Sequence, residues 1–265
     1  MREIFTFPHY MCYSIETITF DDPLFKNVDA TYILHLEDDV KRYADIQEQL
    51  KTYHPTKTVH IVFNPGYKKC EKPGVRNAPE DLVHTVMYAL NDARRYETIL
   101  ILEDDFMFDP SVTARSKDID DFVSTHTDFI YRLGGIPYLQ VPVGAYTYAA
   151  LVGGTHSVLL SKSMRAKIET TPPKNIDWDV YLNLVYPNYL YCRPLCCQLF
   201  PPTENRKVWG MHHWMLRLGG NLLALGVHLL RLDTQCEPGY TIMYLVSKLI
   251  PIFILMGVIV SLCRA

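Results

Sequence analysis

The sequence predicts an α/β domain, a mixed sheet flanked by helices, followed by an apolar helix long enough to cross a membrane. Three observations carry this. Short apolar segments alternate with segments of helical spacing, which builds a layered sheet. One strand candidate, Thr98–Leu102 (TILIL), is almost wholly apolar, as suits the centre of a sheet covered on both faces. Tyr240–Cys263 is about a bilayer's length, with Lys248 as its single charge and Pro251 tolerable inside it.

In chain order, residues 1–27 read as an N-terminal extension. Residues 28–36 (VDATYILHL) are short, β-branched and aromatic, hence a strand. Val40, Tyr43, Ile46, Leu50 and Tyr53 recur at threes and fours, which predicts a helix over 37–53. Thr58–Phe63 is a second strand, and the Pro-, Gly- and Lys-containing stretch Asn64–Pro79 is a loop. Pro79-Glu80-Asp81 opens a helix that runs through Leu82, Val86 and Leu90 to Arg94-Arg95. Thr98–Leu102 is the third strand. Phe122–Leu133 suggests a short helix and strand, Ala145–Val152 and Ser157–Leu160 further strands, and Lys162–Glu169 a helix. From Pro172 the prolines break regular structure. Met215–Leu230 is interrupted by Arg217, two glycines and Asn221, and reads as interfacial or as a packed helix. The predicted boundaries are thus a domain at 28–212, an amphipathic segment at 213–239 and a transmembrane helix at 240–263.

Composition narrows the function. Charged residues make up 21% of the chain with a net charge of −3, so there is no basic stripe of the kind that binds nucleic acid. Seven cysteines, an odd and irregular set, read as mostly reduced thiols, with room for two or three of them to pair. No apolar run near the N-terminus resembles a signal peptide, and only Arg264 and Ala265 follow the apolar helix. These features predict a membrane protein that crosses once near its C-terminus, with the folded domain in the cytosol. Cys192, Cys196, Cys197, His212 and His213 lack the tight repeated spacing of a structural zinc site.

The sharpest chemical signal is Glu103-Asp104-Asp105 directly after TILIL. Carboxylates at a strand end suit a hard divalent cation, Mn²⁺ or Mg²⁺, with Glu103 and Asp105 as the outer pair. Such a cation would neutralise charge on a departing diphosphate. A second triplet, Glu37-Asp38-Asp39, precedes a helix and reads as dipole complementation. Lys68, Lys69, Lys72 and Arg76 form a basic loop, either a solvated face or a cover for a diphosphate.

Five segments in order resemble glycosyltransferase family 25, which includes lipopolysaccharide glycosyltransferases and procollagen galactosyltransferases. They are Tyr32–Leu36 with Arg42, Ile99–Phe106, Asp128–Gly134, Gly154–Lys162 and Asn175–Asp179. His35 stands where the family usually has Asn, and Val158-Leu159 replaces a more aromatic pattern. The resemblance implies a GT-A-like fold, a nucleotide-sugar donor (a UDP-sugar before others) and inverting transfer of a hexose such as galactose or glucose. The acceptor would be a hydroxyl of a glycan, lipid or protein. It implies a metal and donor role for Glu103, Asp104 and Asp105, with Arg42 in the turn beside the donor. His156 has the chemistry to ligate a metal or touch a phosphate, or is a structural histidine.

Inverting transfer needs a base for the acceptor hydroxyl, and Asp177 and Asp179 are the candidates. Both face one way if the segment is extended; if it opens a helix, Asp177 becomes the N-cap. Trp178 could stack on a sugar or fill the core. Two alternatives remain: a catalytically inactive GT-A-like module tethered to a membrane, and a metal-dependent phosphohydrolase using both triplets.

Overall fold

The computed structural model describes residues 12–173, 177–199 and 225–264. A nine-stranded mixed sheet runs in the order β1-β3-β2-β4-β9-β6-β10-β8-β7. Its strands are β1 Ser14–Thr19, β2 Ala30–Leu36, β3 Thr58–Asn64, β4 Thr98–Glu103, β6 Ile130–Arg132, β7 Ile136–Pro142, β8 Thr147–Gly153, β9 Ser157–Ser161 and β10 Asn188–Tyr191. A two-stranded sheet pairs β5 (Phe106–Phe108) with β11 (Cys196–Gln198). The helices are α1 Val40–Thr52, α2 Ala78–Asp92, α3 Val112–Thr125, α4 Lys162–Thr170, α5 Trp178–Leu184 and α6 Gly239–Arg264. A large mixed sheet flanked by helices, with an apolar C-terminal helix, is consistent with the GT-A-like class.

The first half is a parallel core, with β2 hydrogen-bonded to β3 on one side and β4 on the other. β4 is apolar because both of its faces are covered: Ile99 and Ile101 pack into one cluster with α2 and α4, Leu100 and Leu102 into the opposite one with α1 and α3. Helix starts follow the capping rule. The Asp39 carboxylate accepts from the Arg42 amide at α1, and the Asn77 side chain from the Glu80 amide at α2. The acids before α1 thus end as a cap and, at Asp38, a surface pair with Lys69.

Several features depart from the sequence reading. Ser14–Thr19, within the supposed extension, is an edge strand antiparallel to β3. Past Pro172, where irregular structure was expected, α5, β10 and β11 form. Trp178 is in the core, stacked near Tyr181, rather than open to a sugar. Four cysteines are paired, Cys12 with Cys70 and Cys197 with Cys236, against the reduced-thiol reading. That pairing withdraws Cys197 from any zinc set, and it removes one of the grounds for a cytosolic domain, the reduced thiols. His212, His213 and residues 215–224 lie outside the described residues.

Helix α6 is long and apolar enough to cross a membrane: Gly239–Leu262 has a mean hydropathy of 2.4, and little of it is buried. Only its first turns dock on the domain. Tyr240 and Tyr244 are buried with Ala150, Val152 and Leu190. Gln140 donates to the Tyr244 carbonyl and to Ser247 Oγ, and Lys248 Nζ caps the Cys192 carbonyl at 2.6 Å.

Candidate functional site

The chemistry-bearing side chains gather where β4 ends. Strand β4 carries Glu103 out of the core, and the turn to β5 presents Asp104 and Asp105. Strand β9 enters beside them from Gly154-Thr155-His156, because β9 pairs antiparallel with β4. Gly154 turns with φ +85°, a conformation that suits glycine. Gly134 lets β11 approach: a Cβ there would sit 1.7 Å from the Cys196 carbonyl oxygen. β11 thereby delivers Gln198 to the acidic turn.

The three acids have different fates. Asp104 is held by His35 Nδ1 at 3.2 Å, the Leu36 amide at 3.1 Å and Arg42 Nη1. Burial pushes its carboxyl up, but these donors outweigh burial and hold it below the usual range. Asp104 therefore closes the end of β2 and aims Arg42, with both of its oxygens engaged. His35 serves this clamp and stacks on Tyr43.

Asp105 Oδ2 accepts from Gln198 Nε2 at 2.8 Å and lies 3.3 Å from Arg42 Nη2. Its Oδ1 is buried without a partner. Burial, opposed by Arg42, pushes this carboxyl up to about 6. Glu103 goes further: burial, Asp105 and Asp179 raise it well above the ordinary glutamate range.

Asp179, in the first turn of α5, joins the same group. Its Oδ2 accepts from the Gly154 amide at 2.9 Å and its Oδ1 from Thr155 Oγ1 at 2.7 Å. The Thr155 hydroxyl also lies 2.5 Å from Glu103 Oε1. One hydroxyl has one proton to donate, so the second contact is satisfied when the raised Glu103 carboxyl is protonated and donates to Thr155. Asp177 is the α5 N-cap, accepting from the Asp179 amide at 3.4 Å, so the helical alternative of the sequence reading is the one found.

Two buried bases complete the floor. Arg132 Nη1 donates to the carbonyls of Val152 and Gly154 at 3.2 and 2.7 Å, while Nε and Nη2 lack partners. Burial, partly offset by Asp179, lowers it to about 10, so it is charged at neutral pH. His156 Nε2 donates to the Cys196 carbonyl, Nδ1 is without a partner, and burial lowers the ring to about 4, so it is neutral.

The fit to a divalent cation can be judged from these donors. Glu103 and Asp105 offer hard oxygens, one of them free, in a site where carboxylates outnumber guanidiniums. Among the described residues no three His, Cys, Asp or Glu side chains are grouped so as to hold a metal alone. That donor count suits an ion held by one or two carboxylates and completed by water and phosphate oxygens.

The charges of the basic loop are engaged within and beside the loop, Lys68 lying 5.8 Å from the Tyr67 ring. Lys72 is buried in an ion pair with Asp81, Lys69 pairs with Asp38, and Arg76 pairs with Glu80. The sequence reading did not find Thr155, Arg132 or Gln198 as site residues. Thr155 and Arg132 stood inside the family-like segments, whereas Gln198 had no local signal.

No family model matches the chain, and no curated protein matches its sequence. Among solved structures it is similar to A197 from STIV, at 12% identity over 62% of this chain and 81% of that chain, with a TM-score of 0.40. It is similar to a glycosyltransferase involved in glycosylation of the major capsid of PBCV-1, at 12% identity over 60% and 76% of the two chains, TM-score 0.35. A third is a putative glucose-1-phosphate thymidylyltransferase from Bacillus anthracis, at 9% identity over 79% of each chain, TM-score 0.30. Likeness this loose carries no argument about chemistry.

Proposed function

We propose that this chain is a membrane-tethered glycosyltransferase of the family 25 type, using a UDP-hexose and a divalent cation with inversion. The observation that carries the reading is the buried, unpartnered Asp105 Oδ1 beside Glu103, at the carboxyl end of a parallel strand where α/β sheets bind ligands. Buried carboxylate oxygens without donors are costly unless a ligand completes them.

In this reading Glu103 and Asp105 hold Mn²⁺ or Mg²⁺, which would supply neutralisation of the departing diphosphate. Arg42, aimed by Asp104, contributes a fixed positive charge at the same place. Asp179 is the candidate acceptor-side base. The domain of the same proposal, 28–212 on sequence grounds, is extended at its start by β1 and packs against the first turns of α6 through Ser247, leaving the rest of the helix to 263 for the bilayer. The acceptor is a hydroxyl of a glycan, lipid or protein near the bilayer. The two disulfides favour an oxidising compartment for the domain.

One observation favours the second reading, a catalytically inactive module: both Asp179 oxygens are taken by Gly154 and Thr155, and Asp177 caps a helix. The experiment that separates them uses the full chain in detergent, with a panel of UDP-hexoses and Mn²⁺, Mg²⁺ or EDTA. Cation-dependent release of UDP, lost in Asp105→Asn, is the expected result. Donor binding without release would support the inactive module, and neither binding nor release from folded protein would overturn both.

A further inference from the structure

The β7–β8 turn is unusual for this protein. Six consecutive residues, Val141-Pro142-Val143-Gly144-Ala145-Tyr146, are all exposed, and none carries a charge. Val143 is 55% exposed and Tyr146 44%. An uncharged exposed turn ending in Tyr suits a membrane interface better than water.

Its position supplies the occupant. Helix α6 runs along β7, and Ser247 is its last buried residue. Lys248 is level with the base of the turn: its Nζ lies 4.8 Å from the Tyr148 ring, and Tyr148 is the cross-strand partner of Pro142. Lys248 Nζ also binds the Cys192 carbonyl, while the Cys192 amide binds the Tyr146 carbonyl at 2.9 Å. The turn therefore stands beside the point where the helix leaves the domain and becomes exposed on all sides.

Two cations stand at that level: Lys248, and Arg115, whose guanidinium sits 6.0 Å from the Tyr146 ring and 3.9 Å from the Asp118 carboxylate. Basic and aromatic side chains around an apolar tip match the headgroup layer of a bilayer, with lipid phosphates as the anions.

We propose that Val141–Tyr146 is a membrane-inserting turn that enters the headgroup layer beside α6, so that the domain is held against the bilayer at two points. This rests on α6 being the membrane helix. Because Gln140 and Lys248 fasten the helix to the hairpin, the two cannot reach the bilayer independently.

The test places the photoreactive residue p-benzoylphenylalanine at Val143, at Phe253 on the exposed part of α6, or at Lys41 on the exposed face of α1. Each full chain is reconstituted into vesicles of phosphatidylcholine and phosphatidylglycerol and illuminated, and adducts are read by mass. Lipid adducts from positions 143 and 253, and none from 41, are expected. Adducts from 253 with none from 143 overturn the proposal, as would a 143 adduct to a second copy of the chain. Absence of lipid adducts from 253 would instead overturn the membrane reading of the helix itself.

Discussion

The Lys72 cluster behind β3 and the Glu103–Asp105 cluster behind β4 are both buried, charged groups at the carboxyl ends of parallel strands, with β2 between them. In the first, every partner is found. Lys72 Nζ binds Asp81 Oδ1 at 2.5 Å and Asn64 Oδ1 at 2.6 Å, and faces the Tyr13 ring at 5.0 Å. Asp81 Oδ2 accepts from Asn64 and from the Tyr67 amide, and Asn64 also reaches Thr85. In the second cluster Asp105 Oδ1, Arg132 Nε and Nη2, and His156 Nδ1 have no partner. A closed network fixes the fold of the loop after β3; an open one keeps binding capacity for something outside the chain.

The comparison can be broken by mutation, because the two clusters should respond with opposite sign. Lys72→Met should have the largest effect. It leaves the Asp81 carboxylate buried without its cation, and stability measured by denaturant unfolding should fall by about 3–5 kcal/mol. A loss under about 1 kcal/mol would remove the distinction between the clusters.

Asp105→Asn should raise stability, by about 1–3 kcal/mol at pH 8. Burial raises the Asp105 carboxyl to about 6, against about 3.9 in an unfolded chain. The folded state then keeps a proton that the unfolded state releases between roughly pH 4 and 6, so stability falls as pH rises through that window. The Asn variant should lose that slope, and it should also lose cation binding in titration calorimetry. In the native protein, cation affinity should fall as pH drops, first because a proton on the raised Glu103 carboxyl competes with the cation, and by about a further tenfold per pH unit below pH 6, where Asp105 takes a proton as well. A flat profile would argue that Asp105 is not a ligand.

The smallest effect concerns the support behind the site. Tyr240 Oη donates to the Gln198 carbonyl at 2.9 Å and accepts from the Gln198 amide at 3.1 Å, and Gln198 in turn holds Asp105. Tyr240→Phe should cost about 1 kcal/mol, seen as a cation affinity weakened about two- to fivefold. An unchanged affinity would show that the helix does not steady the acidic turn.

What the sequence disclosed follows physical range. β4 was legible because four aliphatic residues in a row need cover on both faces, and α1 and α2 because their apolar positions repeat at helical spacing. The acidic turn was visible since charges directly after such a strand need a reason. β1 was missed because an edge strand with one solvated side, SIETIT, carries no apolar run. β10 and β11 were hidden among prolines that flank rather than interrupt them. The disulfides span 58 and 39 residues, so no local pattern marks them. Gln198 comes to Asp105 across 93 residues only because Gly134 leaves room for β11.

The Cys197–Cys236 disulfide has a consequence for how the domain can be shed. It joins β11 directly to the foot of α6, so the backbone between them is not the only link from domain to helix. A single proteolytic cut between Cys197 and Cys236 would leave the domain still fastened to its helix. After such a cut, release would require reduction as well, so shedding of the domain by cleavage in this stretch would report on redox state rather than on protease alone.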